Sequence, residues 1–443
     1  MKALALLVLL AGTTAFVPAA EGPPANPAVA AIVARVTAAR LRATDTRLVA
    51  FGTRNLFSES GQPRGRGVFA ARDWLVAQFG ALGRDSGGRL SVALDTFMQP
   101  RTDNTPREVQ VSSVIATLRG DDPARGTIVI SSHYDSRNSD GNDAIREAPG
   151  ADDNGSGTSA VLEAARVLVR EHFPGTIVFA CFDGEEQGLF GSAHYAKTLK
   201  ERGVKVEANL NNDIIGASVA HDGTSDPDDV RLFSEALPVG ANPRRVDAIG
   251  SENDSPAREL ARFVKETAGL YVPGMNVELI YRSDRFLRGG DQQSFAEQGY
   301  PAVRFVEAHE NYDHQHQTIR LENGTQYGDL LTYMDFDYLA RVTQINVAAL
   351  ATLALAPPAP EAGVLNRTLG YDTTLQWARV PGATQYELVW RSTSDPLWTH
   401  VKNVGDVNTA TLEGTSKDDW IVGVRALNAA EMAGPVAYPQ PFR

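Results

Sequence analysis

Between residues 111 and 356 the chain alternates short runs typical of strands with segments of helical period. The runs that predict strands lie at 111–118, 127–132, 176–182, 206–212 and 302–306. The segments that predict helices, because their apolar residues recur every three or four positions, lie at 158–172, 188–202, 287–298 and 339–356. Strand–helix alternation is typical of helices packed on a largely parallel sheet, so the sequence predicts an α/β sandwich.

The first twenty residues predict a secretory signal peptide rather than part of the fold. Met1 and Lys2 precede an apolar stretch over 3–17, and small residues follow at 17–20. Gly12 and Thr13 interrupt the stretch, which is shorter than the ~20 residues that span a bilayer, so no stable membrane anchor is expected. We expect cleavage after residue 20 and a secreted or periplasmic location.

The number of cysteines limits which cellular compartments and which kinds of metal site the sequence is compatible with. Cys181 is the single cysteine, which excludes an intrachain disulfide and zinc sites built from several thiolates. An exported chain without disulfides favours a bacterial source. Cys181 itself falls inside an apolar run, where we expect it to be buried.

Charge and length indicate an acidic, multidomain protein. Asp and Glu total 54 against 42 Lys and Arg, a formal net charge of −12, which argues against a nucleic-acid partner. At ~150 residues per domain, the length predicts two or three domains. A proline-rich stretch suggests a first domain over 21–356, a linker over 357–362 and a second domain over 363–443.

The C-terminal region predicts a β-sandwich, because several short alternating strands are separated by turn signals. It resembles a fibronectin type III module in its early Trp377, its Gly-Ala-x-x-Tyr hairpin ending at Tyr386 and its late strand at 421–427. We expect both aromatic residues to be core residues. Binding to a polymeric surface and assistance in export are both open roles for this module.

Polar side chains follow four of the predicted strands, and a polar turn opens one helix. These five segments are His133–Asp135, 150–157, 183–188, 211–213 and 309–317. In open α/β sheets, binding sites form beyond the carboxyl ends of the strands, so we expect these segments to converge on one rim.

Imidazole and carboxylate groups in this number suit two zinc ions that share one carboxylate. The predicted ligands are Asp152 as the bridge, His133 and Asp213 for one ion, and Glu186 and His316 for the other. Asp135 is placed to fix the tautomer of His133. Adjacent Glu185 and Glu186 cannot point the same way, so Glu185 is free to act as the general base.

Four motifs and a late histidine occur in a distinctive order along the chain. The motifs are His-x-Asp, Gly-Ala-Asp-Asp-Asn-Gly-Ser-Gly, Glu-Glu-x-Gly-Leu-x-Gly-Ser and Asn-x-Asp. Over residues 110–350 the sequence thereby resembles the M28 family of two-zinc metallopeptidases. The resemblance implies a three-layer α/β/α sandwich with a mixed, mostly parallel sheet, the same five ligands, Glu185 as base and a cis peptide between Asp152 and Asp153. It also implies that the protein removes N-terminal amino acids from peptides through a metal-activated water.

The last motif departs from the family pattern. The family has His-Thr-x-x-Asp, whereas this chain has Arg320 at the acidic position after His316. His314 is a competing ligand, and His309 is expected to be structural. The family has a tyrosine that stabilises the oxyanion, for which Tyr312 is the nearest candidate and Tyr281 the second.

Other activities remain open from the sequence alone. Carboxypeptidase or dipeptidase activity would use the same zinc pair. A single-zinc glutaminyl cyclase is disfavoured because His133 and Asp213 are both present, and a non-catalytic peptide-binding protein is disfavoured because no ligand is lost. The expected partner is a peptide or protein with a free N-terminus, and a monomer is favoured. A long loop over 217–252 and the stretch 281–295 are expected to determine specificity.

Overall fold

The computed structural model describes residues 25–235, 237, 240–365 and 369–441. The predicted signal peptide over 1–20 lies outside these residues. The helices are α1 (Pro27–Val33), α2 (Ala38–Val49), α3 (Val68–Asp85), α4 (Gly157–Leu168), α5 (Phe190–Glu201), α6 (Pro243–Ala248), α7 (Pro256–Tyr271), α8 (Asp291–Glu297) and α9 (Phe336–Leu355).

A sheet of eight strands forms the centre of the N-terminal region. Its strands are β1 (Leu90–Gln99), β2 (Val109–Leu118), β3 (Thr127–His133), β4 (Thr176–Phe182), β5 (Val206–Asn212), β6 (Asp229–Ser234), β7 (Asn276–Ile280) and β8 (Ala302–Glu307). Their spatial order is β1-β2-β4-β3-β5-β8-β6-β7. The four central strands β4, β3, β5 and β8 run parallel, and β1, β2 and β6 add antiparallel pairs.

Helices cover both faces of this sheet, which gives the predicted α/β/α sandwich. One face carries the large core to which α3, α4, α7 and α9 contribute. The other carries a smaller core with Ala196 and Leu199 of α5 and Phe295 of α8. Helix α9 is long and apolar enough to cross a membrane, but 83% of its most apolar stretch is buried, as in the core helix of a globular domain.

The predicted strands agree with the structure to within two residues, and β4 and β5 have the predicted bounds. The loop expected over 217–252 is wrong, because it contains β6 and α6. Strand β6 buries Val230 and Leu232 between β7 and β8, and the surrounding Asp, Ser, Gly and Pro residues obscure this alternation in the sequence. Edge strand β1 and helix α7 were also not predicted.

After residue 361 the chain forms two small sheets. Their strands are β11 (Ala362–Val364), β12 (Thr373–Trp377), β13 (Gln385–Ser392), β14 (His400–Gly405), β15 (Thr409–Leu412), β16 (Trp420–Leu427) and β17 (Gln440–Pro441). A hairpin of β9 (Arg320–Glu322) and β10 (Thr325–Tyr327) precedes them. The two sheets, β15-β12-β11-β17 and β14-β13-β16, enclose a core in which the rings of Trp377 and Tyr386 lie 5.4 Å apart.

The C-terminal sheets pack on helix α7 and the residues before it through buried charges. Arg391 forms an ion pair of 2.6 Å with Asp254. Trp398 donates from Nε1 to Glu259 at 3.0 Å, and Arg262 donates from Nε to the carbonyl of Pro396 at 2.7 Å. The C-terminal region therefore supplies ion-pair and hydrogen-bond partners to buried charged side chains of the N-terminal region.

Candidate metal centre

The polar residues after the central strands meet at one edge of the sheet. His133 ends β3, Glu185 and Glu186 follow β4, and Asp213 follows β5. His316 lies in the segment after β8. Because β3, β4, β5 and β8 are parallel, their carboxyl ends share this edge, where sites form in open α/β sheets.

These side chains form two donor groups. The first holds His133, Glu185 and Asp213, and His133 Nε2 lies 3.5 Å from Asp213 Oδ1 and 3.9 Å from Glu185 Oε2. The second holds Asp153, Glu186 and His316. In it, His316 Nε2 lies 2.9 Å from Glu186 Oε2. Within each group the ligand atoms are within 4.8 Å of one another.

Asp153 joins the two groups. Its Oδ1 lies 3.2 Å from His133 Nε2 and its Oδ2 lies 2.9 Å from His316 Nε2. The expectation that Asp152 takes this position needs correction, because Asp152 Oδ1 accepts the amide hydrogen of Gly216 at 2.8 Å. Asp153 has an extended backbone (φ −103°, ψ 92°), so the two side chains point to opposite sides of the turn.

The turn that carries Asp153 is held from both sides. Asp329 accepts the amide hydrogens of Asp152 and Asp153, each at 2.8 Å. Gly150 has φ +54°, and a Cβ there would lie 2.5 Å from the carbonyl oxygen of Asp153. The cis peptide bond joins Asp153 to Asn154, one residue after the expected place.

Asp135 orients ligands of both groups, as the sequence suggested for His133. Its Oδ1 lies 3.4 Å from His133 Nδ1. The same carboxylate accepts the amide hydrogens of Glu185 at 3.3 Å and Glu186 at 3.2 Å. The backbone carbonyl of Asp135 is the hydrogen-bond partner of His133 Nδ1 at 3.2 Å, so Asp135 fixes the histidine of one group mainly through its carbonyl, and its carboxylate fixes the backbone that carries the acids of both groups.

The donor atoms fit zinc. His133 Nε2, Asp213 Oδ1 and Glu186 Oε1 are buried and have no hydrogen-bond partner among the residues that the structure describes. Buried polar atoms without partners are costly, and a cation at each group would satisfy them. Imidazole nitrogen together with carboxylate oxygen is a ligand set that suits zinc, whereas calcium and magnesium prefer oxygen alone.

Without metal, the centre holds protons. Burial alone would lower the pKa of His133, but the carboxylates of Glu185 and Asp213 raise it well above its usual value. For His316, Glu186 and Asp153 outweigh burial in the same direction. Burial raises the pKa of Glu185 well above its ordinary range. A divalent metal must displace these protons, so metal binding at this centre releases protons.

The remaining candidates from the last motif lie apart from the donor groups. The ring of His314 stacks on Tyr333 with centroids 3.6 Å apart, and His309 pairs with Asp226 at 3.3 Å. Tyr312 is 62% exposed. The hydroxyl of Tyr281 donates to Pro396 at 3.4 Å. Arg320, at the family's acidic position, lies over the ring of Tyr327 and pairs with Glu322.

Two buried charged residues that lie beside the centre, Arg304 and Asp291, were not predicted from the sequence. The guanidinium of Arg304 pairs with Asp213 Oδ2 at 2.7 Å. Asp291 is fully buried, neither of its carboxylate oxygens has a hydrogen-bond partner within the described part of the chain, and burial raises its pKa to about 7. Arg304 sits in an apolar strand, where a lone cation is a signal for a buried partner. Asp291 opens a helix, where an acidic residue is ordinary and gives no signal.

Comparisons with known proteins agree with this geometry. The model of peptidase family M28 matches residues 113–329. A probable zinc metalloprotease of Leptosphaeria maculans is 44% identical over 420 residues, which cover 93% of this chain and 97% of that protein.

Solved structures share the fold at lower identity. The aminopeptidase LapA of Legionella pneumophila aligns with a TM-score of 0.54 and 21% identity, over 73% of this chain and 74% of that one. A glutaminyl cyclase of Porphyromonas gingivalis aligns with a TM-score of 0.50 and 20% identity, over 71% of this chain and 98% of that one. The family model and the probable zinc metalloprotease, which is 44% identical over nearly its whole length, together show that the chain belongs to peptidase family M28, a family of zinc metallopeptidases.

Proposed function

We propose that this protein is an exported aminopeptidase that holds two zinc ions and removes amino acids from the N-terminus of peptides. The observation that supports it most is the position of Asp153, whose two carboxylate oxygens lie near His133 and His316. A shared carboxylate with further ligands for each metal is the arrangement that co-catalytic zinc pairs need. In this proposal Asp153 takes the bridging role expected of Asp152, and His133, Asp213, Glu186 and His316 complete the ligand set.

A zinc pair at this centre would supply Lewis acidity and a bound water of lowered pKa. Glu185 is the residue of this chain that takes a proton from the attacking water and delivers it to the leaving amine. Its side chain is 14% exposed and lies beside His133, so it can reach both solvent and the centre. Its position next to His133 and at the edge of the buried centre places its carboxylate where an attacking water would lie.

The open side of the centre is the side of His316. That side chain is 35% exposed, whereas His133 and Asp213 are nearly inaccessible. A substrate therefore reaches the metals past His316 and Glu185. In this proposal Tyr312, which lies four residues before His316 and is exposed, is the residue that stabilises the oxyanion.

The remaining parts of the proposal concern location and organisation. Residues 1–20 are proposed as a cleaved signal peptide, and the C-terminal sheets as a fibronectin type III-like module. The proposed partner is a peptide or protein with a free N-terminus, and the formal net charge of −12 argues against a nucleic-acid partner. A monomer suffices, because the proposed ligands and base all come from one chain.

The test uses the zinc-loaded mature chain, a short unblocked peptide and its N-acetylated twin, with products identified by mass spectrometry. Stepwise loss of N-terminal residues from the unblocked peptide alone is the expected result. Trimming of both peptides from the C-terminus would replace the proposal by carboxypeptidase activity, and release of intact dipeptides only would indicate a dipeptidase. A Glu185→Gln variant serves as the control for contaminating peptidases.

Glutaminyl cyclase activity is the second candidate, because a cyclase shares the fold. A peptide that begins with glutamine separates the two activities in one assay. An aminopeptidase releases free glutamine, whereas a cyclase leaves the peptide at full length and eliminates ammonia from its first residue. Elimination of ammonia without release of glutamine would favour the cyclase.

A further inference from the structure

Arg304 is a buried cation directly behind one proposed zinc ligand. Its side chain is 1% exposed and lies on strand β8, next to the end of β5. One terminal nitrogen lies 2.7 Å from Asp213 Oδ2, on the opposite carboxylate oxygen to the one that faces His133.

Arg304 is the first member of a network of charges whose carboxylates are buried. Its other terminal nitrogen lies 2.8 Å from Asp284, which also pairs with Arg285 at 3.0 Å. Arg285 continues to Glu310 at 2.8 Å, and Glu310 also pairs with Arg231 and Arg288. Four guanidinium groups thus share three carboxylates, Asp213 included, and the network carries a net positive charge.

The second donor group has a different environment. Among the described residues, Asp153 and Glu186 form ion pairs with histidines, and neither pairs with an arginine or a lysine. The charges that act most strongly on Glu186 are those of His316 and Asp153. A divalent cation at this group therefore meets carboxylates that form no direct ion pair with an arginine or lysine among the described residues, and the buried Arg54 acts on Asp153 only from a longer distance.

We propose that Arg304 makes the two metal subsites unequal, so that zinc fills the Asp153–Glu186–His316 subsite first and the His133–Asp213 subsite second and more weakly. The inference rests on the proposed two-zinc centre and concerns its loading. A hydrogen-bonded guanidinium reduces the charge that Asp213 can donate and repels a nearby cation, most strongly where the surroundings are buried. Arg304 is thus a residue that sets metal affinity without contacting the metal.

Chelator competition with the metal-free mature chain measures the two zinc dissociation constants directly. We expect constants that differ at least tenfold, since partners of metal ligands change affinity by ~10–100-fold. Loss of His133 in a His133→Ala variant should remove the weaker constant, and His316→Ala should remove the tighter one. Native mass spectrometry at one equivalent of zinc should give mainly the one-zinc species.

Substitutions of the network test whether Arg304 is the cause. Arg304→Met should tighten the weaker constant about tenfold or more, whereas Arg304→Lys, which keeps the charge, should leave the two constants separated. Asp284→Asn removes a carboxylate that compensates Arg304, so it should weaken the second constant further. If Arg304→Met does not fold, the Asp284→Asn and Arg304→Lys variants carry the comparison.

Sharing of Asp153 would by itself make any second zinc bind more weakly, so the order of filling and the response to Arg304 decide the matter. Equal constants, loss of the tighter constant in His133→Ala, or an unchanged separation in Arg304→Met would each overturn the inference. These outcomes are independent of the peptidase assay. A chain that binds zinc in the expected order without trimming peptides contradicts the proposed function alone.

Discussion

The carboxylates of Asp152 and Asp153 face opposite sides of one turn, with Asp153 Oδ2 2.9 Å from His316 Nε2 and Asp152 Oδ1 2.8 Å from the amide nitrogen of Gly216. Asp153→Asn should therefore lower the zinc content and reduce kcat/KM by at least 100-fold. Asp152→Asn, the matched control, should keep two zinc ions per chain and lose less activity. Zinc analysis by plasma mass spectrometry and steady-state kinetics check both, and the reverse ranking would restore Asp152 as the bridge.

Glu185 should be needed for the reaction and not for the metal. Replacement by glutamine keeps the shape but removes the base, so we expect kcat to fall by ~10²–10⁴-fold with KM little changed. Zinc content should stay at the wild-type value. Glu201→Gln, at a surface position whose side chain is 66% exposed, is the control and should have wild-type kinetics. A parallel loss of zinc in Glu185→Gln would instead make Glu185 a ligand.

Glu310 should contribute to stability in a pH-dependent way. Burial alone would raise its pKa, but Arg285, Arg288 and Arg231 lower it to about 2. Since the unfolded value is ~4.3, its ionised form stabilises the folded state above that pH, and the contribution is lost as the pH falls towards 2. Glu310→Gln should therefore cost about 3 kcal/mol at pH 7 and progressively less below pH 5.

Urea unfolding of both proteins between pH 7 and pH 3 measures this difference. Substitution of the exposed Glu297 provides the control, and its effect on unfolding should be small at every pH. A cost of Glu310→Gln that is constant across this pH range would contradict the assignment of the effect to the three ion pairs.

The contact between the two regions should matter for stability as well. Arg391 and Asp254 are both buried, and Asp254 also pairs with Arg262. Loss of one partner of a buried ion pair typically costs ~3–5 kcal/mol, so Arg391→Met should lower Tm by several degrees. Arg379 pairs with Asp406 at an exposed site, and Arg379→Met should change stability by less than ~1 kcal/mol. Differential scanning calorimetry compares the two variants, and equal effects would contradict the prediction.

Much of the sandwich could be predicted because its central strands are buried on both faces. Strand β4 is a nearly continuous apolar run that ends at Asp183, whereas β5 alternates apolar and polar residues up to Asp213, and in both strands the polar residues that follow mark the end in the sequence. Strand β6 alternates buried and half-buried positions within a polar stretch, and β1 lies at the exposed edge, so neither has such a run. The pattern of apolar residues along the chain, rather than its overall composition, therefore determined which strands the sequence could predict.

The sequence could predict the types of metal ligand and most of their positions, but not which of two adjacent aspartates lies between the two groups. His133, Glu186, Asp213 and His316 follow strands whose carboxyl ends converge, which the alternation already implies. The choice between Asp152 and Asp153 depends on the backbone angles of a turn, which adjacent identical residues cannot reveal. Arg304 and Asp284 are 20 residues apart and meet only because the segment between them folds back onto β8.

The carbonyl of Pro396 accepts hydrogen bonds from both Arg262 and Tyr281. Tyr281 begins the segment that exposes Phe286 and Leu287 and supplies Arg285 to Glu310. The segment that begins at Tyr281 therefore contacts the C-terminal region at one end and reaches Glu310, near the metal centre, through Arg285. A substitution in the loop that carries Pro396 would therefore act on the segment that supplies Arg285 to Glu310, far along the chain from the residue that was changed.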